Sequence, residues 1–215
     1  MFDMDGTLVD SEHYTALSVQ AFFAEKNMRN VDIDCSEFDG LSWENIAQAM
    51  VEQAPEIGII PNIAERLHAN FQRLLTETPP PPIKQARAAV IAAHTHMLVA
   101  IVSSSLRESI NETIRNMNIQ AFVSCYAGAD DYKKAKPAAD GYLHAAKVLN
   151  VNPQFCLVFE DSVTGMQAAK NAGMQVVAIT QSAHDKTASA GLADMSIRDY
   201  SELPDAFFES ISQKP

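Results

Sequence analysis

The stretch from Met97 to Thr180 constrains the fold most, because short apolar runs alternate there with amphipathic helical patterns. MLVAIVS (97–103) is almost continuously apolar and ends in polar residues, as a parallel strand buried on both faces does. SSLRESINETIRNMN follows with helical spacing, and Ser105 and Glu108 stand at the interval of a capping box. FVSCYAGAD (122–130) reads as a second strand, and Pro137 is placed to open a helix through AADGYLHAAKVLN. FCLVFE (155–160) is a third strand, SVTGMQAAKNAG (162–173) a helix with Gly173 just past its end, and MQVVAIT (174–180) a fourth strand. Strands separated by helices of about 10–15 residues predict right-handed βαβ units and a doubly wound parallel sheet of the α/β class.

Residues 11–78 follow another pattern. HYTALSVQAFFAEKN, SWENIAQAMVEQA and NIAERLHANFQRLLTE are three helical stretches with no strand pattern between them. TPPPPI (78–83) then supplies a stiff polyproline connector. The expected organisation is an α/β core built from residues 1–11 and 79–215, with an all-helical insertion at 12–78 joined by linkers near Asp10 and at Pro79–Pro82. A length of 215 residues suits one core carrying an insertion. At the N-terminal edge only Met1 and Phe2 precede Asp3, whereas a buried strand usually runs about five residues. Either residues of the natural protein precede the numbered chain, or this strand is stunted.

Charge narrows the partners. With 27 acidic and 16 basic residues the formal net charge is −11, which argues against nucleic acid, since phosphate backbones require clustered Lys and Arg. An anionic substrate would need a local positive group, a metal or a lysine, working against the global field. Cys35, Cys125 and Cys156 are widely spaced and form no CxxC pair, so reduced thiols are expected rather than a zinc site or disulfide framework. No apolar run reaches the 18 or so residues of a membrane span, and the start lacks a signal-peptide pattern. A cytoplasmic protein without membrane association, and a monomer, are the expectations.

In a doubly wound sheet, ligands bind outside the C-terminal ends of the strands. The polar residues delivered there are Asp3 and Asp5, Ser103 to Ser105, Lys136 before Pro137, and Glu160 with Asp161. Two aspartates so close repel unless something cationic lies between them. Carboxylates from separate segments, without zinc-type ligands, suit a hard, oxygen-loving ion such as Mg²⁺. A calcium loop is a poor alternative, because its glycine stands sixth and its glutamate twelfth, whereas here the glycine is fourth and Tyr14 is twelfth. No GxSxG elbow surrounds the serines. Ser105 reads as a helix cap, Lys133 and Lys134 as solvated charges, and His94 and His96 as facing solvent. Trp43 fits either the insertion's core or a substrate cavity, and Glu12 and Tyr14 fit either a cavity wall or a helix surface.

Taken in order, DMDGT, Ser103, the Lys136-Pro137 step and EDS (160–162) resemble the four motifs of the haloacid dehalogenase superfamily. The insertion after the first motif resembles the mobile cap of its β-phosphoglucomutase-like and sugar-phosphatase branch, and the resemblance covers nearly the whole chain. It implies that Asp3 is a nucleophile forming an aspartyl-phosphate and that Asp5 is the general acid and then the general base. It further implies Mg²⁺ held by Asp3, the backbone carbonyl of Asp5 and Asp161, with Glu160 ligating directly or through water. Ser103 and Lys136 would grip the phosphoryl oxygens, with Gly6, Thr7 and Ser104 completing the substrate-binding set and Thr7 orienting Asp5. Three departures bear on the activity. The third motif reads KPAAD where KPxPD is usual, Trp43 stands in DGLSWEN where mutases often carry an arginine, and Thr15 stands where they tend to carry a histidine. The last two weaken a mutase reading, while Asp5 and Gly6 argue against dehalogenation. The resemblance thus implies a Mg²⁺-dependent phosphatase of a small phosphorylated metabolite, a sugar or sugar-acid monophosphate. The alternatives are a sugar-phosphate mutase and a catalytically weak ligand- or partner-binding member.

Overall fold

The computed structural model describes residues 1–11, 13–28, 31–35, 38, 41, 43–58, 60–181 and 191–212. The chain divides into two compact units, Met1–Asp10 with Pro81–Pro215, and Ser11–Pro80.

The second unit holds α1 (His13–Glu25), α2 (Trp43–Gln53) and α3 (Ile63–Glu77), matching the three helical stretches. Its core gathers Val19, Phe22 and Phe23 from α1, Ile46 and Met50 from α2, and Ile63 and Leu67 from α3. Inside it the Ser18 hydroxyl donates to the Leu67 carbonyl at 2.6 Å, a local partner for a buried polar group. Tyr14 does not lie on a helix surface. It is buried, and its hydroxyl ties the start of α1 to the Thr78 carbonyl at 2.6 Å. Trp43 is half-buried against this core, with its ring centroid 5.8 Å from His68 and 5.2 Å from Phe71. Glu12 and three residues of the DGLSWEN turn (Asp39, Gly40, Ser42) lie outside the described residues.

The first unit is a parallel α/β sheet. Its helices are α4 (Ala86–His94), α5 (Arg107–Asn116), α6 (Asp140–Leu149), α7 (Val163–Asn171) and α8 (Phe207–Ser212). Its strands are β1 (Ala100–Val102), β2 (Cys125–Ala127), β3 (Leu157–Glu160), β4 (Gln175–Ile179) and β5 (Met195–Ile197). β1 pairs with β2, and β3–β4–β5 form a second group; Phe2 bridges Ile101 and Phe159 and joins them in the order β2-β1-Phe2-β3-β4-β5. Phe2 N donates to Ala100 O and Val102 N donates back to Phe2 O, while Asp3 N donates to Phe159 O. Phe2 and Asp3 thus make central-strand hydrogen bonds between β1 and β3.

Side chains alternate across the sheet as strand geometry requires. Phe2, Ile101, Phe159, Val177 and Ile179 enter one core with Val90 of α4, Ile110 and Ile114 of α5, and Phe208 of α8. Ala100, Val102, Val158, Val176 and Ala178 enter the other with Tyr142 and Ala145 of α6 and Met166 and Ala169 of α7. Helices on both faces make the sheet doubly wound, as expected. β5 went unanticipated, since its segment MSI is only three residues long and interrupted by Ser196.

Local signals were corrected in three places. The capping box of α5 does not form: its N-cap is Leu106, with no side-chain cap bond, because Ser105 is engaged elsewhere. α6 begins at Asp140 rather than at Pro137, which follows a cis peptide bond from Lys136. The proline run is no free spacer either: Pro82 bridges Val9, Asp10 N donates to Pro81 O at 2.8 Å and Ile83 N to Leu8 O at 2.9 Å. Prolines cannot donate, so here they pair through their carbonyls. Gly173 does adopt the left-handed conformation expected just past the end of α7. No described helix is long and apolar enough to cross a membrane.

Candidate active site

All nine sequence-predicted site residues belong to the first unit, at the strand ends. After Phe2 and Asp3 the chain turns sharply: Leu8 N and Val9 N both donate to Met4 O, and Gly6 N donates to Val9 O. Gly6 sits at φ +73°, and a Cβ there would fall 2.1 Å from Asp161 Oδ2. The glycine is thus required twice, for its left-handed backbone and for the close approach of the fourth-motif acid.

Lys136 is the hub. Its Nζ donates to Asp3 Oδ1 and to Glu160 Oε1, both at 2.5 Å, with only a tenth of the side chain exposed. Glu160 is fully buried and accepts three further hydrogen bonds. Tyr142 OH donates to Oε1 at 2.8 Å, and Ser162 donates to Oε2 from its backbone N at 3.2 Å and its hydroxyl at 3.0 Å. Ser162 also caps α7 by accepting from Gly165 N at 3.1 Å.

Asp5 has different company. It accepts at Oδ2 from Ser105 Oγ at 2.9 Å and, less closely, from Ser103 Oγ at 3.3 Å. Ser103 Oγ in turn accepts from Ser105 N, and the Ser103 carbonyl accepts from Tyr132 OH at 2.9 Å. Ser104 is exposed beside them. Thr7 departs from expectation: its single hydroxyl proton goes to Asp161 Oδ1 at 2.9 Å, not to Asp5.

One ammonium cannot neutralise two buried carboxylates. Burial, reinforced by Glu160 and Asp5 and opposed by Lys136, raises the Asp3 carboxyl to about 8. Burial works against the charge on Lys136, but Asp3 and Glu160 more than offset it and hold the ammonium well above its ordinary range. The remaining negative charge calls for a proton or a second cation. Carboxylate oxygens of Asp3, Glu160 and Asp161 all lie within 4.8 Å of one another. An all-oxygen donor set of this charge fits a hard divalent ion such as Mg²⁺.

Motif reading missed Tyr142, Gly165 and Tyr132, quoted Ser162 only as part of EDS, and took Ser105 for a helix cap. Ser105 was visible only as one of three serines, and nothing in a helix pattern marks Tyr142 as the partner of a carboxylate two elements away. His94, His96, Lys133 and Lys134 are exposed, as expected.

The chain is similar to known proteins over most of its length. Residues 1–179 match the family described as haloacid dehalogenase-like hydrolase. A fructose-1-phosphate phosphatase of Escherichia coli strain K12 is 28% identical over 180 residues, covering 82% of this chain and 93% of that protein. The crystal structure of a HAD family hydrolase from Deinococcus radiodurans with bound phosphate and sodium superposes with a TM-score of 0.78 at 26% identity, covering 100% of this chain and 96% of that one. A β-phosphoglucomutase from Clostridium difficile shares the fold, with a TM-score of 0.76 at 21% identity over 98% of this chain and 95% of that one. The chain belongs to the haloacid dehalogenase-like hydrolases.

Proposed function

We propose that this chain is a Mg²⁺-dependent phosphatase of a small phosphorylated metabolite, a sugar or sugar-acid monophosphate. One observation carries the reading: two aspartates two residues apart stand in opposite environments. Asp3 is buried against the Lys136 ammonium, and Asp5 is held by the hydroxyls of Ser103 and Ser105. A nucleophile needs a cation beside it and a proton carrier needs neighbours that orient it, and the surroundings of the two aspartates differ in that way.

In this reading an Asp3 carboxylate oxygen attacks phosphorus while the bond to the leaving alkoxide breaks. Asp5 gives that alkoxide its proton. A water then attacks the aspartyl-phosphate, surrenders its proton to Asp5, and releases inorganic phosphate with the Asp3 carboxylate restored. Lys136 offsets charge on the phosphoryl oxygens, and Ser103 and Ser104 line the same rim with Gly6 and Thr7 of the first turn. Asp3, Asp161 and the Asp5 backbone carbonyl would hold Mg²⁺, with Glu160 reaching it through water; the ion supplies charge stabilisation for phosphoryl transfer. The helical unit 12–78 acts as the cap that selects substrate and excludes water. Cytoplasmic location and a monomeric state complete the proposal.

The similarity to a fructose-1-phosphate phosphatase supports hydrolysis of sugar phosphates. A mutase reading draws on the shared β-phosphoglucomutase fold alone, and Trp43 and Thr15 weigh against it. Phosphate release from a panel of phosphorylated metabolites, with Mg²⁺ and with Asp3→Asn as control, tests the proposal. Interconversion of hexose phosphates without net phosphate release would replace it by the mutase, and no turnover on any member would favour a binding protein.

A further inference from the structure

Tyr142 is a buried residue of α6 whose hydroxyl serves one partner, Glu160 Oε1, at 2.8 Å. The same oxygen accepts from Lys136 Nζ, and the Lys136 ammonium also lies 5.4 Å from the centroid of the Tyr142 ring. Tyr142 therefore meets the lysine twice, through its π face and through the carboxylate they share. We infer that Tyr142 is a positioning residue: by holding Glu160 Oε1 it determines where the Lys136 ammonium points. This rests on the phosphatase reading above and assigns that site a residue beyond the four motifs.

The argument is one of counting donors and lone pairs. A carboxylate offers about four acceptor sites. At Glu160 they are taken by Lys136 and Tyr142 on Oε1 and by the backbone and hydroxyl of Ser162 on Oε2. A wall closes the remaining side, since a Cβ on Gly165 would overlap both oxygens. Glu160 is thereby immobilised, with no rotamer freedom to follow a wandering lysine. An ammonium has three N–H donors. Two of the three on Lys136 go to Asp3 and Glu160, so the direction of the third follows from where those two acceptors stand. Ser162 holds the far oxygen, and Tyr142 holds the near one. Removing the phenol proton leaves Oε1 to the lysine alone, and the ion pair then contracts or turns. A misplacement of well under 1 Å at a group that stabilises a transferring phosphoryl is costly to the rate.

The test is Tyr142→Phe, which keeps ring, volume and cation–π face and deletes only the hydroxyl. The expected result is a kcat lower by roughly 10- to 100-fold, the range seen when supporting hydrogen bonds behind reacting groups are cut, with KM changed less than about threefold. A vanadate complex should weaken by a similar factor, while inorganic phosphate binding changes little. A residue needed only for packing would instead lower the melting temperature and leave kcat intact well below it; that outcome overturns the inference. Crystal structures of both proteins give a readout independent of turnover. Lys136 Nζ should shift relative to Asp3 by about 0.5 Å or more, and an unmoved ammonium overturns the inference even if the wild-type chain proves inactive. An inactive wild type with a displaced ammonium would remove the phosphatase reading and leave the positional role standing.

Discussion

Gly165 lacks a side chain where Glu160 needs the space: a Cβ at that position would fall 1.8 Å from Glu160 Oε1 and 2.2 Å from Oε2. The glycine is in the first turn of α7, where helix propensity alone would favour alanine by about 1 kcal/mol. Gly165→Ala should therefore act against its propensity. The expected outcome is destabilisation of roughly 1–3 kcal/mol from overpacking, read as a lower urea midpoint at unchanged m-value. Turnover should fall too, because the displaced carboxylate carries Lys136 with it. A more stable, fully active Gly165→Ala protein would show that α7 can retreat from Glu160.

Asp3→Asn should abolish phosphate release, by about 10³-fold or more, as loss of a nucleophile does. It should not harm the fold. Asp3 keeps its proton in the folded metal-free protein up to about 8 but loses it near 3.8 when unfolded, so the amide variant should already melt above the wild type at pH 6.5. The gap should widen towards pH 8 and then level off, because above that pH folded and unfolded wild type both ionise Asp3. Thermal melts at pH 6.5 and pH 9 in EDTA check both halves.

Mg²⁺ stabilisation should grow with pH, and the sign follows from linkage. Unfolded Asp3 loses its proton near 3.8, whereas the folded metal-free protein keeps it to about 8. Between those values the native state binds the extra proton, so metal-free stability falls as pH rises through this window. A divalent ion must displace that proton. Apparent Mg²⁺ affinity should weaken by up to about tenfold per unit below pH 8, with proton release approaching one per ion bound. Calorimetry in two buffers of different ionisation enthalpy measures it; affinity flat from pH 6 to pH 8.5 would contradict the assignment of Asp3 as a ligand.

Ser105→Ala removes the closer of the two hydroxyls on Asp5. If Asp5 carries the leaving-group proton, the loss should depend on the leaving group. We expect kcat to drop about tenfold on sugar phosphates and markedly less on p-nitrophenyl phosphate, whose phenolate leaves with little help. Equal losses on both would place Ser105 in binding rather than in orienting the acid.

Ser162→Ala tests structure and site together. The N-cap of α7 should cost about 1 kcal/mol, and loss of a donor to buried Glu160 should add to it. A urea midpoint unchanged from wild type would mean that water replaces both bonds.

Much of this was legible in residue order. Apolar runs interrupted by helical periods dictate a doubly wound sheet, since a strand buried on both faces and a helix with one apolar stripe can bury themselves together in few ways. The acids, the serines and the lysine were readable as site candidates, because strand ends are where such a sheet exposes polar groups. Local chemistry was the less reliable guide. Ser105 has the spacing of a helix cap yet donates to Asp5, and Thr7 lies beside Asp5 yet donates to Asp161. A hydroxyl goes to the strongest acceptor within reach, and reach is set by elements about 100 residues apart in the chain.

By itself, then, the order of residues determined the fold class, the inserted helices and the identity of the charged groups, because those depend on periodicity and residue type. Only tertiary structure decided the pairings: Phe2 bridged to both β1 and β3, Tyr142 and Ser162 on Glu160, Gly165 against the same carboxylate. These depend on distances between segments remote in sequence, and a buried charge takes whichever donors the packed core brings within about 3 Å.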